Sequence, residues 1–450
     1  MVASSGAILR ASRLGRRGLL PGSPKLWHGG RVSGAPARNT ATWSLEPAGR
    51  CSWDEPVRIA VHGLAPRQPV TLRASLRDEK GALFRAHARY EADAGGLLDL
   101  ERAPALGGSF VGLEPMGLLC NFASKSHNIL RFKKINVEGQ WVMILLSSLS
   151  ACKLFSITKL RHAICKKAFD TTAESVRNSS VLCFVSCKEP GPFPGIVDIY
   201  GVGSGLLEHR ASLLAGKGFA VMALAYHNYE DLPKGLEILH LEYFEEAVNY
   251  LLDHPQVKGP GVGLLGSSKG GDLCLSMASF LKGITATVLV NGSVANVGGA
   301  LHYQDEILPP LGLDPNRVRL TKDGLADIVD VLNSPLEGAD QKSFIPVDRA
   351  ESAFLFLVGQ DDHNWKSEFY ANEASKRLQA RGRKKPEIIC YPETGHYIEP
   401  PYFPLCRASL HTLVGGPVIW GGEPRAHATA QVDAWKQLQT FFHKHLVGKS

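Results

Sequence analysis

The amino-acid sequence predicts an α/β protein in which a smaller β-sandwich precedes a domain built on a mostly parallel sheet. The first observation is that, from about residue 191 onward, apolar runs alternate with amphipathic stretches, as a buried parallel sheet bracketed by helices requires. The second is that residues 52–119 carry short apolar strands with period-two alternation and regular turns, which is typical of a β-sandwich. The third is size, because 450 residues, 44% of them hydrophobic, suffice for two or three packed domains.

Residues 1–45 predict a targeting segment. They carry seven basic side chains and no acidic one, so they account for the whole formal charge of +7. A basic, serine-bearing, acid-free leader is typical of a mitochondrial transit peptide, which we place at residues 1–40; an unstructured basic tail is the alternative. The expected location is the mitochondrial matrix, with the cytosol as the alternative. Because the rest of the chain is formally neutral, no basic excess remains for binding nucleic acid.

The predicted sandwich occupies residues 41–119. Arg58–His62 and Val70–Ser75 alternate apolar with polar residues, as strands with one buried face do. Turn-forming residues at Gly63–Pro66 and Asp93–Gly96 interrupt the strand-like runs. This arrangement predicts short antiparallel strands.

The predicted α/β domain occupies residues 191–450. Its strands are near-continuous apolar runs at Gly195–Tyr200, Phe219–Leu224, Val262–Leu265, Ile284–Val290, Ala353–Val358 and Ile388–Tyr391. Its helices are amphipathic segments at Leu206–Ala215, Leu236–Leu252, Gly271–Leu281 and Ala428–Leu446. The alternation predicts parallel strands joined by crossover helices.

The block of residues 120–190 fits neither pattern. It holds five of the nine cysteines, carries eleven basic against four acidic side chains, and shows no sustained period of 2 or 3.6. We expect a poorly ordered insert or alternative-exon segment that leaves the sandwich incomplete and its strand edges exposed. Its most apolar run, Trp141–Leu149, is far shorter than the roughly 20 residues that a bilayer requires. The cysteine spacing forms no zinc motif, which favours free thiols.

The informative motif is Gly266-Ser-Ser-Lys-Gly270, which fits G-x-S-x-G after a short apolar strand and before a helix. That context predicts a nucleophile elbow and hence an α/β-hydrolase domain. The turn is so tight that only small residues fit two places before and after Ser268, the predicted nucleophile. Ser267 is the rival serine but stands one place too early, and a chance glycine- and serine-rich turn is the alternative interpretation.

A serine hydroxyl needs a base that is oriented by an acid, and this architecture demands the chain order Ser, Asp or Glu, His. Asp362 follows the predicted strand that ends at Val358 and is favoured as the acid over Asp361; a helix cap is its structural alternative. His396 follows the last predicted strand and a glycine, so it is the predicted base. His363 competes but is too close to the acid to bridge to Ser268.

The oxyanion hole is predicted from two backbone donors. One is the N–H of Lys269, directly after the nucleophile. The other is expected from the loop Gly201-Val-Gly-Ser-Gly205, around Gly203 and Ser204. A nucleotide-binding glycine loop is the rival, but its G-x-G-x-x-G pattern fails because residue 206 is leucine. Such chemistry needs no metal and no cofactor.

Residues 191–446 closely resemble the type I acyl-CoA thioesterases, a family that also includes bile acid-CoA:amino acid N-acyltransferase. The matching segments include LLAGKGFAVMALAYHNYEDL, GSSKGG, FLVGQDDHNWKSEFYANEA and CYPETGHYIEPPYFP. Residues 41–119 are similar to the first part of that family's amino-terminal sandwich, whereas 120–190 departs from it. Carried over by position, the family's nucleophile, acid and base fall on Ser268, Asp362 and His396.

The resemblance implies hydrolysis of medium- or long-chain fatty acyl-CoA to a free fatty acid and coenzyme A, which is part of the substrate. The acyltransferase branch uses a cysteine nucleophile, so a serine here favours hydrolysis. An N-acyltransferase, a general esterase or a catalytically impaired chain that acts only by binding are the alternatives. We expect a monomer without a transmembrane segment.

Overall fold

The fold is that of a computed structural model, which describes residues 41–48, 51–78, 81–123, 191–203 and 205–447, and the backbone of strands at 141–148, 151–156, 160–161, 173–174 and 182–185. The predicted transit peptide at 1–40 therefore lies outside the described residues, as does Ser204. The described residues lie within one compact unit.

Two antiparallel sheets form the amino-terminal part. One has the strand order β1-β2-β5, and the other has the order β6-β4-β3-β7-β8, with β9 also paired to β7. A short helix, α1 (Gly117–Cys120), follows β6. The strands are β1 (Thr42–Glu46), β2 (Arg58–His62), β3 (Pro69–Arg77), β4 (Leu83–Glu91), β5 (Leu98–Asp99), β6 (Gly107–Gly108), β7 (Trp141–Ser148), β8 (Ala151–Ser156) and β9 (Leu160–Arg161).

Strict alternation of burial along β3 explains why these residues form a sandwich sheet. Val70, Leu72, Ala74 and Leu76 are buried, and the residues between them are not. In a strand, successive side chains point to opposite faces, so one face of β3 joins the core and the other meets solvent. The sandwich predicted from period-two patterning is confirmed.

The sequence analysis expects residues 120–190 to be a poorly ordered insert that leaves the sandwich incomplete, but two strands of this block extend the second sheet. The strand β7 pairs antiparallel with β3 from Val70↔Ser148 to Ser75↔Met143, and β8 pairs with β7. The physical reason is that backbone pairing requires no alternation. A short continuous apolar run such as Trp-Val-Met-Ile-Leu-Leu is compatible with a strand although it carries no period. The block also contributes residues 120–123, strand β9 and the strands at 173–174 and 182–185, and its other residues lie outside the described ones.

The carboxyl-terminal part is built on a sheet with the strand order β10-β11-β13-β12-β15-β16-β21-β22. Neighbours are parallel from β13 to β22, whereas β11 runs antiparallel to β13 and β10 antiparallel to β11. The strands are β10 (Ala173–Glu174), β11 (Leu182–Val185), β12 (Phe193–Ile199), β13 (Ala220–Leu224), β14 (Ile238–His240), β15 (Val257–Ser267), β16 (Ile284–Val290), β17 (Ala300–Tyr303), β18 (Glu306–Leu308), β19 (Arg319–Leu320), β20 (Ala326–Asp327), β21 (Ala353–Gly359), β22 (Glu387–Tyr391), β23 (Ala408–His411) and β24 (Gly416–Ile419).

Helices connect these strands as crossovers. The α-helices are α2 (His209–Ala215), α3 (Leu241–Asp253), α4 (Lys269–Phe280), α5 (Ser367–Ala380) and α6 (Pro424–Leu446), and the 3-10 helices are Pro315–Arg317, Gly338–Ser343 and Val347–Arg349. Strands β13 and β16 are buried along nearly their whole length, as expected for a parallel sheet covered on both faces. The α/β-hydrolase architecture predicted from the sequence is confirmed.

One predicted helix begins later than expected. The sequence pattern placed its start at Leu236, but α3 begins at Leu241. The intervening β14 instead pairs in parallel with β17, as in Ile238↔Ala300. An apolar residue such as Leu239 serves equally well on a helix face or in a short strand, so periodicity alone could not separate the two.

Two small sheets lie outside the main one, with the orders β14-β17-β18 and β19-β20-β24-β23. The second sheet matters for function because Trp420, which follows β24, is buried within it. Trp420 donates its indole N–H to Ser409 Oγ at 2.9 Å. The loop after β24 is thereby fixed against β23.

Helix α6 joins the two parts of the core. Trp435 is buried and donates its indole N–H to Asp54 Oδ2 at 2.8 Å, which ties the last helix to the amino-terminal region. Further along, Phe442 packs edge-on against Phe219 with ring centroids 6.2 Å apart. Among the described residues, no helix combines the length and the apolar character needed to cross a membrane.

Replacing Phe442 by alanine should lower the free energy of unfolding by about 3–5 kcal/mol, because a fully buried ring leaves a cavity when it is removed. Urea denaturation measures this change. The matched control is Val432→Ala in the same helix, where the side chain is 43% exposed and about 0.5 kcal/mol or less is expected. An equal loss of unfolding free energy in both variants would contradict the assignment of the Phe442 face of α6 to the core.

Candidate active site

Ser268 stands at a sharp turn between strand β15 and helix α4. Its backbone has φ of 56° and ψ of −125°, a left-handed conformation that is uncommon for a residue other than glycine. The Ser268 N–H donates to the carbonyl of Val290, the last residue of the neighbouring strand β16, at 3.0 Å. The turn thus lifts the Ser268 hydroxyl above the carboxyl edge of the sheet, and strain of this kind is concentrated at functional sites.

Close backbone contacts explain the small residues around Ser268. A Cβ at Gly266 would lie 2.2 Å from the carbonyl oxygen of Gly270. A Cβ at Gly270 would lie 2.2 Å from the carbonyl oxygen of Ile199, at the end of β12. No side chain fits either position without moving the backbone. The rival Ser267 is the last residue of β15 and pairs with Val290, so it does not occupy the turn.

The carboxylate of Asp362 is held by four donors. The backbone N–H groups of Asn364 and Trp365 donate to Oδ1 at 2.8 and 3.0 Å, and the Ser367 hydroxyl donates to Oδ2 at 2.6 Å. The fourth donor is His396 Nδ1, 2.8 Å from Oδ2. Such donors stabilise an ionised carboxylate in a site where Asp362 is only 8% exposed.

The rival residues Asp361 and His363 form a separate pair. Asp361 Oδ2 accepts the Gly422 N–H at 2.6 Å, and Asp361 Oδ1 lies 3.3 Å from His363 Nε2. The other ring nitrogen of His363 lies 2.8 Å from Asp327 Oδ2. Of the two acids and two histidines that the sequence left in competition, the structure therefore brings together Asp362 and His396.

The His396 ring is enclosed by aromatic side chains. It stacks on Trp420 at a centroid distance of 5.6 Å and meets the edge of Trp365 at 5.9 Å. Trp420 also stacks with His411 at a centroid distance of 5.5 Å, and the pKa of His411 is lowered to about 4 by burial, with a further contribution from His396. His411 is therefore neutral near pH 7 and places no positive charge behind the base.

Ser268 and His396 project from the same edge of the sheet. Ser268 is hydrogen-bonded to Val290, and the next residue, Asn291, donates to the backbone carbonyls of Gly395 and His396 at 3.2 and 2.7 Å. Within the described residues the Ser268 hydroxyl makes no hydrogen bond to His396. The nearest polar partner of His396 Nε2 is instead Asn364 Nδ2, at 3.1 Å.

The Nδ1–H of His396 points at a carboxylate, so Nε2 is the nitrogen with the free lone pair in the neutral ring. Asn364 Nδ2–H then donates to that lone pair. When substrate is bound, the Ser268 hydroxyl would have to replace Asn364 Nδ2 as the partner of His396 Nε2 before it transfers its proton.

The candidate oxyanion hole lies where α4 begins. Lys269 is its first residue, so its backbone N–H has no intrahelical acceptor and sits at the positive end of the helix dipole. The glycine loop after β12 approaches from the other side. A Cβ at Gly201 would lie 2.8 Å from Ser268 Cβ and 3.1 Å from Ser268 Oγ. Gly203 has open space around it, and Ser204 is outside the described residues.

The side chain of Lys269 has a structural role that the motif did not reveal. It is buried, with Nζ 3.0 Å from both Asn296 Oδ1 and Asp272 Oδ1. Burial raises the pKa of Asp272 to about 6, although the neighbouring lysine acts to lower it. The pair anchors the first turn of α4 to the loop after β16, which holds the elbow in place.

Sequence reasoning also missed the groups that shape the glycine loop. Burial lowers the pKa of His227, and the backbone of Val202 acts in the opposite direction. Tyr200, directly before the loop, donates to Glu399 Oε2 at 3.0 Å and lies 2.7 Å from His209 Nε2. The only sequence signal for these residues is that they follow predicted strands or neighbour a predicted site residue.

Among the described residues, no three or more histidine, cysteine, aspartate or glutamate side chains are grouped so that they could hold a metal ion. The arrangement provides a strained serine, a buried imidazole paired with a carboxylate, and backbone donors at a helix start. These groups together are suited to acyl transfer through a covalent serine intermediate.

Two family descriptions match this sequence. Residues 239–448 match "BAAT / Acyl-CoA thioester hydrolase C terminal", and residues 54–170 match "Acyl-CoA thioester hydrolase/BAAT N-terminal region". The second match extends into the block of residues 120–190, which the sequence analysis set apart from the family. That departure is therefore smaller than expected.

Curated relatives are similar over nearly the whole chain. Human "Acyl-coenzyme A thioesterase 2, mitochondrial" is 70% identical, covering 99% of this chain and 94% of the relative. Human "Acyl-coenzyme A thioesterase 1" is 72% identical over 91% of this chain and 97% of the relative. Mouse "Acyl-coenzyme A thioesterase 2, mitochondrial" is 61% identical with full coverage of both chains. Among solved structures, an acylaminoacyl peptidase of Pyrococcus horikoshii has a TM-score of 0.43 at 14% identity, covering 88% of this chain and 60% of that one, too weak a likeness to support a conclusion.

Replacing Gly201 by alanine should suppress the reactivity of Ser268. The new methyl group would meet Ser268 Cβ at 2.8 Å, so the serine must shift, and a displacement near 1 Å costs on the order of 100-fold in rate. The measurement is the rate of covalent labelling by a small fluorophosphonate. Gly416→Ala is the control, because a Cβ there meets nothing within 4 Å. Equal labelling of both variants would show that Gly201 does not border the nucleophile.

Proposed function

The chain belongs to the family of acyl-CoA thioester hydrolases and bile acid-CoA:amino acid N-acyltransferases, and we propose that it hydrolyses fatty acyl-CoA with Ser268 as the nucleophile. The observation that carries this proposal is the Asp362–His396 pair beside a serine held in a strained elbow. We take the acyl group to be a medium or long fatty chain, as the family resemblance implies.

The first half of the reaction acylates the enzyme. His396 Nε2 takes the hydroxyl proton as Ser268 Oγ attacks the thioester carbonyl carbon. The carbonyl oxygen becomes an oxyanion facing the Lys269 N–H and a donor from the glycine loop. The carbon–sulfur bond then breaks, and the sulfur of coenzyme A leaves with the proton held on Nε2.

The second half releases the acid. Water gives a proton to His396 Nε2 while its oxygen attacks the acyl-serine carbonyl carbon. The bond to Ser268 Oγ breaks, and Oγ takes the proton back from the imidazole, which restores the resting enzyme. Asp362 keeps Nδ1 protonated throughout and stabilises the imidazolium that forms in each half.

Two features favour water over an amino acid as the acceptor. The elbow holds serine, whereas the acyltransferase branch that the sequence resembles uses cysteine. The similar human and mouse proteins are named thioesterases. Transfer to an amino acid is the second candidate, and its support is the family description that includes both activities.

Replacing Ser268 by alanine should lower palmitoyl-CoA hydrolysis by roughly 1,000-fold or more, because the attacking hydroxyl is lost. Release of the coenzyme A thiol measures the rate on the full chain, with and without glycine or taurine. Ser267→Ala, one residue earlier in strand β15, is the control and should remain close to the parent protein. Thiol release that requires glycine or taurine would identify a transferase instead, and full activity of the Ser268 variant would refute the mechanism.

We place the protein in the mitochondrion and propose the matrix as its compartment. The support is the acid-free basic segment at residues 1–45 and the similarity to relatives named mitochondrial over 99% and 100% of this chain.

In cells expressing the full chain, the protein should resist added protease until the inner mitochondrial membrane is ruptured. Changing Arg10, Arg13, Arg16 and Arg17 to glutamate should leave it in the cytosol, because import depends on the positive charge of the leader. Immunoblots of protease-treated cell fractions measure the protease resistance of the parent protein and the location of the variant. Degradation as soon as the outer membrane is opened would place the protein outside the matrix.

A further inference from the structure

Five polar groups of the backbone around the base are hydrogen-bonded inside the protein, and one buried histidine makes two of these bonds. Residues 395–397 form the short loop that carries His396. The Gly395 N–H donates to His427 Nδ1 at 3.1 Å, and His427 Nε2 lies 2.7 Å from the carbonyl oxygen of Tyr397. His427 therefore contacts the residue before the base and the residue after it.

The rest of this loop is bound by other elements. The His396 N–H donates to the Trp420 carbonyl at 2.8 Å. The carbonyls of Gly395 and His396 accept from Asn291 Nδ2 at 3.2 and 2.7 Å. With the two His427 bonds, five polar groups of the loop backbone are satisfied inside the protein, so removal of His427 leaves two of them without a partner.

We propose that His427 is a positioning residue that sets the placement of the base His396 by bridging the backbone on both sides of it. This inference rests on the proposed function, in which His396 moves the proton. It concerns a residue on helix α6, 31 positions further along the chain and outside the motif Pro392-Glu-Thr-Gly-His396.

The two bonds determine the state of the His427 ring. An amide N–H can only donate, so Nδ1 must be the acceptor and carries no proton. A carbonyl oxygen can only accept, so Nε2 must carry the proton. Burial lowers the pKa of His427 to about 4, with the Tyr397 carbonyl and the Glu399 carboxylate acting in the opposite direction, and this keeps the required neutral ring at pH 7.

The His427 ring is closely surrounded by other parts of the chain. It is 1% exposed, and a Cβ at Gly422 would lie 3.0 Å from its Nδ1 and 3.0 Å from the Gly395 nitrogen. Gly422 has φ of +97°, where glycine is favoured, so the chain passes close to the bridge without crowding it. Further along the same helix, Trp435 is bonded to Asp54, which fixes α6 and with it the bridge.

The test replaces His427 by phenylalanine, asparagine or glutamine in the full chain. Phenylalanine keeps the ring volume but removes both hydrogen bonds, and we expect kcat to fall about 10–100-fold with KM nearly unchanged. Asparagine keeps an acceptor near the place of Nδ1, and glutamine keeps a donor near the place of Nε2. Each amide variant should therefore recover part of the loss and stay about 2- to 10-fold below the parent protein.

Labelling of Ser268 by a fluorophosphonate should fall in the same order as kcat, because it also requires the base but no acyl-CoA. His443→Phe is the matched control, since His443 is exposed on the same helix, and it should change neither rate. Thermal unfolding of every variant identifies a general loss of structure.

Three results would overturn the inference. The first is a wild-type rate of Ser268 labelling in the phenylalanine variant. The second is an equal loss of kcat in all three variants. The third is a raised KM with unchanged kcat in the phenylalanine variant. If phenylalanine prevents folding, wild-type rates in both amide variants overturn it equally. If the parent protein is labelled at Ser268 but does not hydrolyse acyl-CoA, the proposed function fails, and the labelling series still decides the role of His427.

Discussion

The site depends on a close approach of backbone atoms at the elbow. Gly266, Gly270 and Ile199 bring main-chain atoms to distances at which no side chain fits, and this crowding holds Ser268 in its left-handed conformation. The same crowding places the start of α4, with its unpaired N–H groups and positive dipole end, beside the hydroxyl. One steric constraint therefore accounts for both the sharp turn at the proposed nucleophile, Ser268, and the site proposed for the oxyanion.

The acid and the base are placed by hydrogen bonds rather than by crowding. Asp362 receives two backbone N–H groups and a hydroxyl from its own loop, so its orientation is local. His396 depends on distant elements, namely Asn291 after β16, Trp420 after β24 and His427 on α6. The position of the base therefore depends on residues far from it in the sequence. One of them, His427, lies on the helix whose Trp435 is bonded to Asp54 in the amino-terminal region.

The sequence predicted the elements of the main sheet well, because buried parallel strands are continuous apolar runs and Ile284–Val290 was placed without error. The prediction was wrong where strands pair although their side chains show no hydrophobic period. The block of residues 120–190 has no period, yet β7 pairs with β3 because main-chain hydrogen bonds do not depend on side-chain order. The start of α3 was misplaced for the related reason that Leu239 suits a strand as well as a helix.

By itself the sequence determined the nature of the chemistry, since the elbow motif and the order of Ser268, Asp362 and His396 are local or sequential properties. Only the tertiary structure decided which groups surround them. Gly201 borders the nucleophile, Asn364 meets the base nitrogen, and His427 bridges the base loop, although each lies on a different element. These contacts are properties of distances across the fold, and no spacing within a segment encodes them.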